Sequence, residues 1–245
     1  MQQSSTFKLK NILLCSDSYP LQKYFRDRAS ITFVDQEPKK GKPDALNKLL
    51  DQATSIYCIQ NSADCVPASP DTYHILLTPL LKPSVGAVTS QPVPTNEGFM
   101  HLPNIVWKMH NFVQPKLSAE LFAFKRHAVT HLPVDVIHDD AYIHAMINSQ
   151  NLEVVYEPNA IVLNAAPERC IEYYAQRKKN VVGNVQLAKQ FNIDASSKLR
   201  IQALILLSIE LIANIHGRLD YVRGKVPKGL VGYNLETTKN TCTRI

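Results

Sequence analysis

Short apolar runs separated by polar loops dominate the first half of the chain. Asn11-Ile-Leu-Leu-Cys15 ends in Ser16-Asp17-Ser18 and predicts a buried strand followed by a loop. Leu21–Arg28 predicts a helix and Ile31–Val34 a second strand. A polar Gly/Pro loop, Pro38 to Pro43, precedes a helix from Asp44 to about Ala53. Ser55–Ile59 predicts a strand with Asn61-Ser-Ala-Asp64 at its end, then a helix over Asp71–Leu81 and a strand over Val85–Thr89. Residues 91–118 are rich in Pro and Asn and show no ordered period. Leu121–Phe124 predicts a strand and Asp139–Asn148 a helix. Val154–Tyr156 and Ala160–Leu163 predict two short strands around Glu157-Pro158, and Pro167 to about Phe191 is helical in pattern. Strands alternating with helices imply an α/β fold with a largely parallel sheet.

The last third changes character. Ile201–Ile215 is apolar but interrupted by Gln202, Ser208, Glu210 and Asn214. Gln202, Glu210 and Asn214 share one narrow stripe of a helical wheel and leave a wide apolar face. Such a helix either packs on the domain or lies flat in a bilayer interface. The flanking Arg200, Arg218, Arg223, Lys225 and Lys228 suit anionic headgroups. No segment reaches the roughly 18–20 apolar residues of a spanning helix.

Charge follows the same division. Residues 1–169 hold 15 Lys/Arg against 16 Asp/Glu, and residues 170–245 hold 12 against 5. A basic C-terminal third fits phosphates, lipid headgroups or nucleic acid, with a solvated basic face as the plain alternative. Zinc-finger, RRM, KH and helix-turn-helix signatures are missing, so no nucleic-acid partner is expected. The cysteines (Cys15, Cys58, Cys65, Cys170 and Cys242) form no C-x-x-C pair, which argues against a disulfide framework or a zinc site. Reduced thiols and a first segment without a signal-peptide core point to a cytoplasmic location.

Four places carry candidate chemistry. Asp64 follows a strand, where α/β sheets collect ligands, and a carboxylate there suits a divalent cation between diphosphate oxygens; a turn residue is the plain alternative. Lys39, Lys40 and Lys42 surround Gly41 before a helix N-terminus, which favours an anion, although no P-loop spacing is present. Asp139 and Asp140 are adjacent, so one of them can act as a general base, or both simply cap a helix. Gln176-Arg177-Lys178-Lys179 presents cations to a leaving diphosphate or forms a basic helix face.

Taken in order, GKPDALN (41–47), SAD (62–64), ELFAFKR (120–126), HDDAYI (138–143), YEPNA (156–160) and QRKKN (176–180) resemble the processive-type family 2 glycosyltransferases, the group of cellulose, hyaluronan and chitin synthases. The likeness runs from about residue 10 to 190. It continues through Gly217-Arg-Leu-Asp-Tyr221 and Thr237-Thr-Lys239, which look like the end of smaller archaeal and bacterial members. It implies a GT-A, Rossmann-like mixed and mainly parallel sheet flanked by helices over residues 1–195, with an amphipathic helix and basic tail over 196–245. It further implies that Asp17, Lys42 and Asn47 border the nucleotide and that Asp64, the surviving acid of the D-x-D motif, holds Mg²⁺ or Mn²⁺ on the donor diphosphate. Asp140 becomes the general base with Asp139 beside it. Gln176 and Arg177 match the Q-x-x-R-W motif, with Lys178 as a further cation and Asn180 where tryptophan is usual.

The activity implied is inverting transfer of a hexose from a nucleoside-diphosphate sugar to a lipid-linked or polysaccharide acceptor, at the inner face of a membrane contacted through residues 200–228. Family members begin with a strand that this chain lacks at the matching place, so a partner chain supplying that strand is part of the expectation. The alternative is a non-catalytic relative that binds sugar nucleotides or serves as an assembly subunit.

Overall fold

The computed structural model describes residues 7–16, 30–38, 40–112, 115–191 and 204–225. Asp17, Lys39, the helix expected over Leu21–Arg28 and the tail beyond Lys225 lie outside the described residues. The strands are β1 (Ile12–Ser16), β2 (Ile31–Asp35), β3 (Tyr57–Asn61), β4 (Val66–Pro67), β5 (Val85–Pro94), β6 (Leu121–Lys125) and β7 (Glu153–Asn164). The helices are α1 (Lys42–Gln52), α2 (Thr72–Leu77), α3 (Leu102–Phe112), α4 (Asp139–Ser149), α5 (Cys170–Phe191) and α6 (Leu204–Val222).

Two sheets result: a parallel pair β1-β2 and a five-stranded sheet in the order β3-β6-β5-β7-β4. The class is mixed α/β as expected, with both parallel and antiparallel pairs. In the larger sheet only β5 and β7 run parallel; β3–β6, β5–β6 and β4–β7 are antiparallel. The reason lies in residues 95–120, which hold α3 and bring the chain back so that β6 enters between β3 and β5 against both.

The strands expected at Val154–Tyr156 and Ala160–Leu163 are one strand, β7. Its pairing with β5 skips from Thr89↔Tyr156 to Gln91↔Ile161, and Pro158 and Asn159 are exposed in the resulting bulge. Proline has no N–H for a ladder, so it sits where no ladder bond is made.

Alternation along β6 divides the core. Phe122 and Phe124 face Leu50 of α1 and Ile143, Met146 and Ile147 of α4. Leu121 and Ala123 face Leu76 and Leu77 of α2 and Val162 of β7. A side chain at Gly86 would place its Cβ 2.7 Å from Ile147 Cγ2, so glycine lets α4 lie close on β5. A third cluster joins α3, α5 and α6 through Leu102, Val106, Met109, Tyr173 and Leu206.

The C-terminal helix is packed with its polar stripe inward. Glu210 meets Tyr173 and Arg177 of α5, and Asp220 meets Lys178. Ala213 and Gly217 allow the close approach, while Leu211, Ile212, Ile215, Leu219 and Val222 are 43–82% exposed on the outer side.

Candidate active site

An open cavity forms where α1, α3, α4, α5 and the start of β6 converge. Local structure aims each element at it. Gly41 has φ 99°, which favours glycine, and its carbonyl accepts a hydrogen bond from Gln36 Nε2 at 2.5 Å. That turn starts α1 with Lys42 at its first position. Lys42 Nζ lies 2.7 Å from Asp139 Oδ2 at the start of α4. Burial alone would lower the Lys42 ammonium, but the adjoining Asp139 carboxylate outweighs it and the net shift is upward.

Asp140 is buried beside them. Its Oδ1 accepts the Ala141 N–H at 2.9 Å and lies 3.0 Å from His138 Nε2. Burial pushes the carboxyl up; the His138 ring beside it, with Lys116 and Lys42, reverses this and holds Asp140 well below the usual carboxylate range. The shift favours the ionised form of Asp140.

Glu120, at the start of β6, is a third carboxyl on the cavity wall, with Ser118 Oγ donating to it. Burial raises it, and Asp140 adds to the rise. Two carboxyls in one cavity are thus shifted in opposite directions, a pattern that separates acid and base roles.

From α5, Gln176, Arg177, Lys179 and Asn180 reach the cavity. Arg177 Nε is 2.8 Å from Glu210 and Lys178 Nζ 2.7 Å from Asp220, so α6 engages both cations. Burial lowers the Lys179 ammonium, and the neighbouring Lys42 adds to the effect. Lys179 is the third residue after Gln176, the spacing at which Q-x-x-R-W carries its arginine, so the motif's cation falls on Lys179 as well as beside Arg177. Counting three residues from Gln176 would have found it. Trp107 and His110 of α3 form the opposite wall, ring against ring at 5.3 Å. They lie in the stretch where no period was read, although Leu102, Val106 and Met109 recur at helical spacing.

Lys42, Asp139, Asp140, Gln176 and Arg177 are thereby brought together, while three other expected site residues stand apart. Lys178 is not on the cavity wall. Asn47 holds the loop after β6, donating to Leu132 O at 2.7 Å and accepting from Leu132 N at 2.8 Å. Asp64 is half-buried in the turn after β3 and does not line the cavity. Its Oδ1 accepts from Cys65 Sγ at 3.5 Å, and burial together with Asp64 and Glu120 pushes that thiol up.

Ser62, two residues before Asp64, donates its hydroxyl to Ala119 O at 2.6 Å. No group of three or more His, Cys, Asp or Glu able to hold a metal ion occurs among the described residues. One carboxylate suits Mg²⁺ or Mn²⁺ only where substrate phosphate oxygens and water complete the shell.

A mixed sheet with cations and carboxylates at one edge is the GT-A architecture, and it is found in solved structures. The mannosyltransferase PcManGT from Pyrobaculum calidifontis, in complex with GDP-Man and Mn²⁺, superposes with a TM-score of 0.57 over 95% of this chain and 69% of its own, at 21% identity. Glucosyl-3-phosphoglycerate synthase from Mycobacterium tuberculosis, in complex with Mn²⁺, UDP and glucosyl-3-phosphoglycerate, matches at a TM-score of 0.50 and 15% identity over 77% of this chain and 71% of its own.

In sequence, the chain is 24% identical over 211 residues to poly-β-1,6-N-acetyl-D-glucosamine synthase of Staphylococcus epidermidis, a match of 78% of this chain and 50% of the synthase. The chain thus spans about half the length of the curated relatives it matches. No protein-family model matches it. In fold the chain is thus similar to GT-A glycosyltransferases, and in sequence to a polysaccharide synthase.

Proposed function

We propose that the chain transfers a hexose from a nucleoside-diphosphate sugar to a hydroxyl of a lipid-linked or polysaccharide acceptor, with inversion at the anomeric carbon. The observation that carries this is the single cavity joining Lys42, Asp139 and Asp140 to Gln176, Arg177 and Lys179. Cations on one side suit a departing diphosphate, and an ionised carboxylate on the other suits an alcohol proton.

Asp140 takes the proton as the acceptor oxygen bonds to the anomeric carbon. The bond from that carbon to the diphosphate breaks, and its electron pair leaves with the nucleotide. Lys42, Arg177 and Lys179 steady the negative charge that results. Asp64, outside the cavity lining, would hold Mg²⁺ or Mn²⁺ only with donor phosphate oxygens reaching it, and the ion would supply further charge neutralisation. One base and in-line displacement give inversion.

The outward apolar stripe of α6, with Arg223 and Lys225 exposed at its end, supports peripheral contact with an anionic membrane face. No helix among the described residues is long and apolar enough to cross a membrane.

Calorimetry with UDP-, GDP- and dTDP-sugars, with and without Mn²⁺, followed by product analysis, tests the reading. Binding of one donor class with transfer or slow hydrolysis is expected, and Asp140→Asn loses turnover by roughly 10²- to 10⁴-fold while still binding donor. Wild-type turnover in that variant would remove Asp140 from the base role. Donor binding without any turnover would instead favour the non-catalytic, sugar-nucleotide-binding relative, a reading to which the engaged hydroxyl of Ser62 also points.

A further inference from the structure

Asp140 follows a loop, 129–138, without helix or strand, and a loop alone holds a carboxylate poorly. Asn47 ties this loop at Leu132, and the second half of α5 holds the part next to Asp140. Gln186 Oε1 accepts the Ile137 N–H at 3.1 Å, and Gln186 Nε2 donates to Asp135 O at 3.0 Å. His138 is buried against the same helix, with its Nδ1 3.0 Å from Asn184 Oδ1 and its Nε2 3.0 Å from Asp140 Oδ1. Both ring nitrogens thus face oxygen acceptors, which fixes the plane of the imidazole.

Gly183 supplies the room. A Cβ there would stand 2.6 Å from His138 Cβ and 3.3 Å from its backbone nitrogen, closer than such atoms come. Oδ1 of Asp140 is taken by His138 and the Ala141 N–H, whereas Oδ2 accepts no hydrogen bond from the described residues.

We infer that His138 is a positioning residue for the transfer reaction: seated on Gly183 and tied to Asn184, it locks Asp140 Oδ1 and leaves Oδ2 as the atom that receives the acceptor's proton. The inference rests on the transferase reading given above. The groups that interact electrostatically with Asp140 from the packed elements are Lys42 on α1, Lys116 and Glu120 just before β6, His144 on α4 and Lys179 on α5, with Asp139 its neighbour in sequence. They remain when His138 is replaced, so a change on replacing it reports His138 alone.

The test uses the full chain with donor and Mn²⁺, comparing wild type, His138→Gln and Asn184→Ala. For His138→Gln, kcat falls about 10- to 100-fold, as expected for the loss of one charge-assisted hydrogen bond, with donor KM within about 3-fold of wild type. The acid limb of its kcat–pH profile moves to higher pH, because the ring that lowers the Asp140 carboxyl is gone. Asn184→Ala shows the same direction with a smaller loss.

A His138→Gln enzyme with wild-type kcat and an unmoved acid limb overturns the inference. So does a loss of kcat with an unmoved limb, since mere damage to the fold would produce it. Nitrogen-15 spectra of the His138 ring give a readout without turnover: both ring signals shift in Asn184→Ala and in Asp140→Asn. Should the wild type neither transfer nor hydrolyse any donor, the transferase reading fails by itself, and ring signals indifferent to both substitutions would refute the His138 geometry.

Discussion

Gly217 lies in the interior of α6 and faces α5, and replacing it with alanine yields a stability change whose sign is diagnostic. A Cβ built there would be 2.9 Å from the Lys178 carbonyl oxygen, 2.9 Å from Val181 Cβ and 2.9 Å from Val181 Cγ1. Relaxed carbon–oxygen contacts start at about 3.3 Å and carbon–carbon contacts at about 3.5 Å, so the helices must separate by roughly half an ångström. Two of the atoms that must yield belong to or adjoin the α5 backbone, so no rotamer change relieves the clash. Separation also stretches the 2.7 Å pair between Lys178 and Asp220, one turn further along α6.

Overpacking of this kind costs about 1–3 kcal/mol. Against it stands the gain of about 1 kcal/mol from replacing glycine by alanine inside a helix. The net expectation is a destabilisation between zero and about 2 kcal/mol, and Gly217→Val, bulkier and a poorer helix former, is worse. Urea unfolding of the three proteins, with transition slopes compared, measures this. If Gly217→Ala raises the midpoint by the equivalent of about 1 kcal/mol, α6 does not approach α5 closely and the inward orientation of its polar stripe is wrong.

Further expectations concern charge, metal and membrane. The folded-state shift of Glu120 is upward, so its ionisation weakens the fold as pH rises above the ordinary glutamate value of about 4.3. Glu120→Gln is therefore more stable than the parent at about pH 7–8, and the difference vanishes at about pH 4 in paired denaturation curves; equal midpoints at pH 8 would count against the upward shift of this carboxyl. With only Asp64 offered by the protein, Mn²⁺ binds weakly alone and about 5- to 150-fold more tightly with the cognate nucleoside diphosphate, and Asp64→Asn abolishes the coupling. Calorimetry in both orders of addition checks this, and tight Mn²⁺ binding without nucleotide contradicts it. Ile215→Asp and Leu219→Asp, both at exposed positions, reduce co-sedimentation with anionic liposomes while shifting stability by less than about 0.5 kcal/mol. Unchanged sedimentation would remove the membrane role of this face.

Much of the site was legible residue by residue. Lys42 after Gly41, the adjacent Asp139 and Asp140, and Gln176-Arg177 stand out by residue type next to a predicted helix start or within a helical pattern, and the cavity contains all of them. Asp64 and Asn47 were equally legible as polar residues at element ends. Whether such a residue faces a ligand or a neighbouring loop depends on packing, and Asn47 faces Leu132. His138 and Glu120 could not be distinguished in advance, because each matters only through partners far along the chain: Asn184 for one, Asp140 and Lys42 for the other.

Periodicity by itself determined that β1, β2, β3, β5 and β6 are strands and that α4 and α5 are helices. Alternation and the 3.6-residue repeat are local properties, which neighbouring residues state without help from the rest of the chain. Three matters were decided only in the tertiary structure. Strand direction in the larger sheet depended on the return path through α3, and Pro158 became tolerable because β7 bulges away from β5 just there. The facing of α6 was settled by Tyr173, Arg177 and Lys178, whose side chains take the carboxylates of Glu210 and Asp220; Leu206 and Ala213 pack inward beside them, and Leu211, Ile212, Ile215, Leu219 and Val222 stay outside. An amphipathic pattern shows that a helix has two faces; only the charge and shape of what lies beside it determine which one turns inward.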